Sequence, residues 1–459
     1  MHSLIFDIGK TNKKAFVFDQ DYQELHKVYV QFDEKQDEDD FPCDDLGSIQ
    51  SWIKETVNTL LKDPNFDIRA INFSSYGASL VHLDVNGKPL TPLYNYLKPL
   101  PQEVLDAFHK AHGTAMKIAQ ETASPALGML NSGLQLYWIK QTQPAIFKRI
   151  HWSLHLPQYL SYLLTGIPLS EFTGIGCHTA LWDFSKRDYH TWVHKEGISQ
   201  KLAPIVPTDT SINRQIMGRK IKVGVGIHDS SSALLPYLRA EQKPFLLIST
   251  GTWSIALNPF SQTILTDEEL DQDCLNFLRL DGQQVKAARL FLGKEYKTQI
   301  DPLLAHFSTP RQAHKEIVFN PTFFQAISTR KEYFYRFEYL STPWEQPEKT
   351  NYAALSSFSE AFHQLMWELT QLQTSKVQLA LGDSEIRKIY IDGGFADNDV
   401  YVAMLAEKFA KAKIRTTESP LGSALGAAMV ISDEPIGKKF LKRNYALKKY
   451  KRQVVSQND

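Results

Sequence analysis

Two segments of the chain, one at its start and one just past its middle, share a pattern of apolar and polar positions. Residues 4–8 are mostly apolar and run into a polar turn containing glycine, and residues 15–18 resume the apolar run. Residues 245–248 likewise enter a polar turn, and residues 255–257 follow it. Each pattern predicts a strand, a turn and a second strand. The recurrence predicts two similarly built domains.

Further elements are predicted between and after these two hairpins. Asn86-Gly87 predicts a hairpin turn within 81–90, because both residues tolerate positive φ. Residues 388–394 predict a buried strand that ends in a glycine turn. Helices are predicted at 133–140, at 156–164 with Thr165-Gly166 ending it, at 358–372 and at 399–410. This alternation of strands and helices predicts the α/β class.

The length of 459 residues is sufficient for two domains. We place the first at about 1–240 and the second at about 245–435, followed by a basic tail at 436–459. The acid-rich stretch 33–45 is predicted to be an exposed loop without a function of its own. The basic tail is predicted to be a solvated helix end rather than a nucleic-acid patch.

Composition and charge narrow the class of partner. Lys plus Arg and Asp plus Glu both number 51, so no net positive charge supports nonspecific binding to nucleic acid. No apolar run is long enough to span a bilayer, and no signal-peptide pattern follows Met1. Cys43, Cys177 and Cys274 lack metal-ligand spacing and are expected to be structural thiols. We therefore expect a soluble cytoplasmic protein that acts on small molecules.

The turn after the first strand has the residue types that hold phosphate. Gly9 allows close approach of the backbone, and Thr11 and Asn12 offer hydrogen-bond donors. Lys14, or Lys13, offers positive charge. A surface hairpin with solvated lysines is the alternative interpretation of this segment. A P-loop is excluded, because that motif requires glycine where Leu4 stands.

Acidic residues supply the candidates for metal binding and for a general base. Asp7, at the end of the first strand, is predicted to hold Mg²⁺. Asp229 lies between a turn at Gly226 and the apolar beginning of a predicted helix. At this position it either caps the helix or accepts a hydroxyl proton. His228 is placed to hydrogen-bond a sugar beside it.

The second hairpin offers a further phosphate site. Gly251 and Thr252 can present backbone N–H groups and a hydroxyl to phosphate, although an ordinary tight turn is an equally valid interpretation. The pairing of two such turns in one chain favours a phosphate-binding function.

Taken together, these segments resemble the FGGY carbohydrate kinases over nearly the whole chain and in the same order. The resemblance implies two actin-like, ribonuclease H-like domains flanking a catalytic cleft. It also implies ATP and Mg²⁺ as cofactors, with Asp229 as catalytic base and Asp7 and Asp229 at the metal. By the same resemblance, ATP contacts fall on Lys10, Thr11, Asn12, Lys14, Gly251, Thr252, Gly393, Gly394 and Asn398. Residues 419–428 resemble the small-residue helix at the end of the family's second domain.

Within the family the chain is most similar to rhamnulokinases and fuculokinases. That similarity implies a 6-deoxy-ketohexose as acceptor, contacted by Gly77, Ser79, His228 and Asp229. Those kinases usually carry Asp where Ser79 stands, so a kinase for another ketose or polyol, such as a pentulose, is an alternative. A catalytically silent sugar- or nucleotide-binding regulator is the other. The expected partners are ATP, a sugar and a second copy of the chain in a homodimer, with neither nucleic acid nor membrane.

Overall fold

The computed structural model describes residues 1–418, 421–432, 436 and 439–450, and its elements are numbered in chain order. The strands are β1 (His2–Ile8), β2 (Lys13–Phe18), β3 (Glu24–Val30), β4 (Lys35–Gln36), β5 (Pro42–Cys43), β6 (Ile68–Ser75), β7 (Leu80–Leu83), β8 (Trp152–His155), β9 (Ser170–Glu171), β10 (Trp182–Asp183), β11 (Asp188–Tyr189), β12 (Ile205–Val206), β13 (Ser211–Ile216), β14 (Arg219–Gly224), β15 (Ile227–His228), β16 (Leu246–Thr250), β17 (Ser254–Asn258), β18 (Cys274–Leu278), β19 (Gln284–Leu290), β20 (Lys388–Gly393), β21 (Lys413–Thr417) and β22 (Lys448–Lys449).

The helices are α1 (Leu46–Lys62), α2 (Gln102–His112), α3 (Ala115–Thr122), α4 (Ser132–Thr142), α5 (Pro144–Arg149), α6 (Leu156–Thr165), α7 (Phe172–Ile175), α8 (Thr191–Lys195), α9 (Asp229–Ala240), α10 (Asp267–Asp271), α11 (Leu292–His306), α12 (Pro321–Ser328), α13 (Phe358–Leu381), α14 (Asp399–Lys408), α15 (Gly422–Ile431) and α16 (Phe440–Asn444). Short 3₁₀ turns lie at Gly128–Leu130, Ser199–Lys201, Ala313–Lys315 and Tyr352–Ala354.

The chain forms two compact units, each assembled from separate stretches of sequence. Unit 1 contains Met1–Arg239, Gln262–Val285 and the described part of Leu421–Gly437. Unit 2 contains Ala240–Ser261 and the described residues of Lys286–Pro420 and Lys438–Asp459. Two stretches of the second half of the chain thus belong to unit 1, which a division of the sequence into consecutive domains does not anticipate.

Unit 1 is organised around a mixed sheet in which β1, β2 and β3 form an antiparallel meander. β6 pairs with β1 in parallel, and β14 and β15 pair in parallel with β6. Leu4, Phe6 and Ile8 of β1 face one side, where they join a core cluster with apolar residues of α1 and α6. Since successive side chains of a strand alternate between faces, Asp7 lies on the other side, where its carboxylate meets α15.

Unit 2 repeats this strand pattern. β16 and β17 form an antiparallel hairpin that β19 extends, and β20 and β21 continue the sheet from β16 in parallel. The predicted similarity of the two hairpins is therefore confirmed, because each opens a meander that is followed by parallel strands. Short-range predictions also hold: Gly87 has a φ of +76°, and α6 ends at Gly166 in the left-handed region.

Helix boundaries agree less closely with the sequence pattern than helix positions do. α13 continues to Leu381, well beyond the predicted end at 372, because Val377 and Ala380 extend its buried side. Ser419, Pro420 and residues 451–459, the end of the basic tail, lie outside the described residues. No helix among the residues that the structure describes is long and apolar enough to cross a membrane.

The acid-rich stretch 33–45 is not the exposed loop that its composition predicts. It contains the short hairpin of β4 and β5 and buries Asp37 and Asp44. Asp37 Oδ2 lies 2.6 Å from Lys98 Nζ, and Asp44 is held by two lysines. A buried carboxylate is tolerated when it is paired and hydrogen-bonded. Lysines outside the stretch therefore determine that it folds inward.

Buried carboxylates also anchor the irregular part of unit 2 between α12 and α13. Glu368 is fully buried; its Oε1 accepts hydrogen bonds from Phe334 N and Gln364 Nε2, both at 2.8 Å, and its Oε2 accepts one from Tyr335 N. Burial raises the pKa of Glu368 from 4.5 to about 7, although these hydrogen bonds oppose the rise. Two successive main-chain N–H groups of this segment thus depend on one acidic side chain.

The raised pKa of Glu368 predicts a pH-dependent stability. Between pH 4.5 and about 7 the folded protein holds a proton on Glu368 that the unfolded chain has released, so this group's contribution to stability falls as pH rises. Glu368→Gln removes that dependence. Wild type should therefore lose about 3 kcal/mol of unfolding free energy relative to the variant between pH 4.5 and pH 8. Denaturant unfolding at both pH values measures this difference.

The exposed Glu348 provides the matched control. Glu348→Gln should follow the wild-type pH dependence throughout. Parallel curves for wild type and Glu368→Gln would contradict the assignment of this proton to Glu368.

Candidate active site

Neighbouring strand ends in unit 1 carry the residues that we predict to act in phosphoryl transfer. β1 and β15 both pair in parallel with β6, so that Asp7 lies opposite Ser74 and His228 lies opposite Ser75. Asp229 follows β15 directly as the first residue of α9. Parallel strands end at the same edge of a sheet. The two acidic residues, 222 positions apart in sequence (229 − 7 = 222), therefore lie at one edge.

Asp7 is desolvated and bound from one side. Its Oδ1 accepts a hydrogen bond of 2.6 Å from Ser423 Oγ on α15. Burial raises the pKa of Asp7 to about 6; the Ser423 hydrogen bond and the charge of Lys14 oppose the rise, and the charge of Asp229 adds to it. Two carboxylates of like charge thus influence each other at this edge, and a cation would relieve their repulsion.

The turn at residues 9–12 closes through a hydrogen bond of 2.9 Å from Gly9 N to Asn12 O. Thr11 is exposed at its tip, whereas Asn12 Oδ1 accepts hydrogen bonds from Tyr29 Oη and Gln31 Nε2. The backbone, Thr11 and the amide nitrogen of Asn12 are thus the parts of the turn left to meet a ligand.

Three lysines of this hairpin have different surroundings. Lys10 Nζ lies 2.8 Å from Asp44 and 2.9 Å from Glu34, and Lys13 is almost fully buried against Asp44. Lys14 lies opposite Asp7 in the strand register and forms no ion pair among the residues that the structure describes. The sequence offered Lys13 and Lys14 equally; in the structure Lys10 and Lys13 are both bound to carboxylates.

His228 links the candidate base to the rest of unit 1. Its Nε2 lies 3.0 Å from Asp229 Oδ1 and 3.1 Å from Cys177 Sγ, and its backbone N donates to Thr173 Oγ1 at 3.0 Å. Burial opposes a charged imidazole, yet Cys177 and Asp229 raise the pKa of His228 well above its usual range. The Asp229 side chain itself is about one-third exposed at 36%. The ring therefore orients a carboxylate that solvent or a substrate can reach.

Gly77 and Ser79 lie beside this group on the segment that follows β6. A Cβ on Gly77 would come within 2.7 Å of Cys177 Sγ and 3.2 Å of the His228 ring, so the backbone passes where no side chain fits. Ser79 is buried, and its Oγ donates to the Tyr94 carbonyl oxygen at 3.4 Å. The structure thus places Gly77, His228 and Asp229 together, with the polar group of Ser79 turned towards Tyr94.

In unit 2 the second turn and the strand before it lie against the backbone of two other segments, at residues 293–294 and 393–394. Gly393, at a φ of +85°, leaves no room for a side chain, because a Cβ there would come within 1.9 Å of the Thr250 carbonyl oxygen. Gly394 N donates to that oxygen at 3.0 Å. Thr252 O accepts hydrogen bonds from the N–H groups of Gly293 and Lys294, while Gly251 itself is exposed. Gly251, Thr252, Gly393 and Gly394 are thus joined through Thr250 and its neighbours.

A cavity of about 300 Å³ opens beside Gly394 in unit 2. It is lined by Tyr296, His314, Lys315, Ile317, Gly394, Phe395, Asp397 and Asn398. The rings of Tyr296 and Phe395 lie 5.1 Å apart between centroids, and Asn398 caps α14 by accepting a hydrogen bond from Tyr401 N. Aromatic walls with a few polar groups suit a planar heterocycle. Two of the residues that line the cavity, Gly394 and Asn398, are predicted from the sequence to bind ATP.

Comparison with known proteins finds two family models that match the chain. Residues 2–234 match the family model described as FGGY family of carbohydrate kinases, N-terminal domain, and residues 242–439 match carbohydrate kinase FGGY, C-terminal domain. The chain belongs to the FGGY family of carbohydrate kinases.

Individual FGGY relatives are distant. A rhamnulokinase of Halalkalibacterium halodurans is 24% identical over 291 residues, 60% of this chain and 60% of the relative. A xylulose kinase structure from Lactobacillus acidophilus has a TM-score of 0.78 at 15% identity and covers 98% of this chain and 94% of that one. A Plasmodium falciparum glycerol kinase structure with ADP has a TM-score of 0.74 at 16% identity, with 97% and 94% coverage. The two structures confirm the predicted actin-like α/β fold class.

Four contacts of the FGGY site were not predicted from the sequence. Ser423, Cys177 and Thr173 contact the site residues from α15 and from the region of α7, and Asp44 binds the lysines of the first turn. For Ser423 the small-residue pattern of 419–428 was a usable signal, since small residues allow a helix to approach a sheet closely. No local pattern marks the other three. Among the described residues, no group of three His, Cys, Asp or Glu side chains forms a metal-binding cluster.

The close approach at Gly77 predicts a specific failure and its repair. Gly77→Ala should displace Cys177 and His228, lowering stability by about 1–3 kcal/mol as overpacked sites do. The Gly77→Ala/Cys177→Ala double variant should recover most of this loss, because the sulfur that clashes is gone. Thermal or denaturant unfolding of both variants, with Cys177→Ala alone as control, measures the effect. Equal losses in the single Gly77→Ala and double variants would show that the clash lies elsewhere.

Proposed function

We propose that the chain transfers the γ-phosphoryl group of ATP to a hydroxyl of a ketose, with Asp229 as general base. The observation that carries this proposal is the Asp229 carboxylate, partly exposed and oriented by His228, at the strand edge that also carries Asp7 and Lys14. A protein that only bound sugar or nucleotide would need no base beside a second acidic group. The acceptor most in keeping with the family resemblance is a 6-deoxy-ketohexose such as L-rhamnulose or L-fuculose.

The proposed step balances as follows. Asp229 accepts the proton of the acceptor hydroxyl as its oxygen attacks the γ-phosphorus. The bond from the γ-phosphorus to the bridging oxygen breaks, and ADP leaves with that oxygen. Lys14 offsets charge on the transferred group, and His228 keeps the carboxylate in one orientation.

The nucleotide is assigned to unit 2 in this proposal. The exposed turn at Gly251 and Thr252 offers the N–H and hydroxyl groups of Thr252 to the phosphates, whereas the N–H of Gly251 donates within the turn to Trp253 O at 2.8 Å. The cavity beside Gly394, with Tyr296 and Phe395, takes the base. Gly393 and Gly394 support this assignment. The backbone of Gly393 lies against Thr250, and no side chain covers the surface in front of Gly394.

Mg²⁺ fits the donor set of unit 1. Asp7 and Asp229 are hard oxygen donors of like charge, and magnesium in kinase sites is held by one or two carboxylates together with substrate phosphates. When bound, the ion would neutralise charge on the phosphates. Ser423 would hold the Asp7 carboxylate in position for it. The three free cysteines and the use of ATP fit the cytoplasm as the compartment.

A second candidate is phosphorylation of another ketose or polyol, such as a pentulose. Ser79 favours it, since a carboxylate at this position can bind two neighbouring hydroxyls and a serine cannot. The xylulose kinase and glycerol kinase among the similar structures point the same way. Sugar-dependent ADP release across L-rhamnulose, L-fuculose, D-xylulose and glycerol decides between the candidates. Absence of sugar-dependent release with every acceptor would favour a binding protein instead.

Asp229→Asn tests the base directly. The amide keeps the shape and the hydrogen bond to His228 but accepts no proton, so turnover should fall about 10²-fold or more while the affinity for metal-free ADP stays unchanged. Steady-state kinetics with the preferred acceptor and calorimetry with ADP in the presence of EDTA provide the two readouts. Turnover within a few-fold of wild type would remove Asp229 from the chemistry.

Lys14→Met tests the cation of the first turn. Loss of its charge should lower kcat or raise the KM for ATP by about tenfold, whereas acceptor affinity should change little. Lys14→Arg, which keeps the charge, is the matched control and should retain most activity. A loss confined to acceptor affinity, measured without nucleotide, would argue against this role.

A further inference from the structure

Asp44 is the centre of a buried polar cluster that the phosphoryl-transfer step does not use. Its Oδ1 accepts a hydrogen bond of 2.8 Å from Lys13 Nζ. Its Oδ2 accepts one of 2.8 Å from Lys10 Nζ and another of 2.8 Å from Tyr76 Oη. Asp44 is 7% exposed, and Lys13 and Tyr76 are buried with it. One carboxylate thus binds two segments that are separate in sequence.

The first of these segments is the turn at residues 9–12. Lys13 Nζ, besides its ion pair with Asp44, donates a hydrogen bond of 2.9 Å to the carbonyl oxygen of Lys10. That carbonyl belongs to the turn itself, whose ends are closed by Gly9 and Asn12. The buried ammonium therefore fixes the path of the turn from within, and Asp44 fixes the ammonium.

The second segment leads to the acceptor side of the site. Tyr76 N donates to the carbonyl oxygen of Ile8 at 3.3 Å, at the end of β1. The next residue, Gly77, lies against Cys177 and His228. The hydroxyl of Tyr76 ends on Asp44. The position of the chain at Gly77 is thus tied to the same carboxylate as the turn.

We infer that Asp44 is a positioning residue that holds the phosphate turn, chiefly through the buried Lys13, and the acceptor segment through Tyr76. This inference rests on the proposed function for the meaning of the two segments. Asp44 touches neither substrate in this arrangement and acts through its partners. Because both partners are buried, removal of the carboxylate leaves a lysine charge without compensation. The two segments then lose their common anchor, and displacements of about 1 Å in such sites reduce rates by up to about 10²-fold.

Variants of the two arms separate the roles. Lys13→Met keeps the length of the side chain and removes the hydrogen bond into the turn; it should raise the Kd for MgADP or the KM for ATP about fivefold or more, with acceptor KM nearly unchanged. Tyr76→Phe removes a single hydroxyl; it should raise the acceptor KM about fivefold or more, with the Kd for MgADP and the KM for ATP nearly unchanged. Asp44→Asn should affect both constants together. Glu34→Gln, which removes the exposed carboxylate at the outer end of the cluster, is the control and should leave both constants within about twofold of wild type.

Hydrogen exchange distinguishes positioning from a general loss of stability. Amides of residues 9–12 should exchange faster in Lys13→Met, and those of residues 77–80 faster in Tyr76→Phe, while the rest of unit 1 is unchanged. A fall in thermal midpoint with unchanged kinetic constants and unchanged exchange at these two segments would overturn the inference. Should Asp44→Asn fail to fold, the two single-arm variants still decide the matter.

The same experiments distinguish this inference from the proposed function. If wild type phosphorylates none of the acceptors, the proposed acceptor is wrong, yet MgADP calorimetry and hydrogen exchange still test both arms without any sugar. If wild type is active but Lys13→Met leaves the nucleotide constants unchanged and Tyr76→Phe leaves the acceptor KM unchanged, the proposed function stands and the role of Asp44 is wrong.

Discussion

Two carboxylates of like charge at one sheet edge are the constraint on which the rest of unit 1 depends. Asp7 and Asp229 reach this edge because β1 and β15 both pair with β6, and their proximity raises the pKa of Asp7 beyond what burial alone does. Fixed hydrogen-bond partners are needed to hold two such carboxylates in place against their mutual repulsion. Ser423 on α15 binds one carboxylate, and His228, held by Thr173, binds the other. Elements far apart in sequence are thus required for a single site.

The two units share a strand pattern but divide the chemistry. The first turn is preceded by Asp7 and followed by Lys14, so the hairpin of unit 1 has a negatively and a positively charged side chain beside its turn. The described residues of the second turn, 251–253, include no such pair; Thr252 offers its main-chain N–H group, and Gly393 packs against Thr250 so closely that no side chain intervenes. In the proposed function the repeated hairpin therefore provides two kinds of phosphate contact, one electrostatic and one made by the backbone.

The sequence predicted those features that depend on neighbours along the chain. The hairpins, the α6 helix with Gly166 at its end, and the order of the segments of the site follow from local pattern and from glycine conformation. Features that depend on distant partners were missed. The stretch 33–45 has the composition of a loop, yet Lys98, Lys10 and Lys13 draw its aspartates inward, and no local pattern predicts those ion pairs. The contribution of residues 262–285 and of the described part of 421–437 to unit 1 escaped prediction for the same reason.

The segment assigned to the acceptor in the proposed function has a backbone that is held at successive residues. Gly77 is pressed against Cys177, the Ala78 carbonyl accepts a hydrogen bond of 2.6 Å from Gln135 Nε2, and the Ser79 carbonyl accepts one from Leu156 N. Ala78 adopts a φ of +62°, a conformation that its fixed neighbours maintain. A carboxylate placed at Ser79 would face the Tyr94 carbonyl oxygen in a buried setting and would be repelled there. Serine at this position is therefore matched to the surrounding backbone, and an aspartate here would require the segment around Tyr94 to change with it.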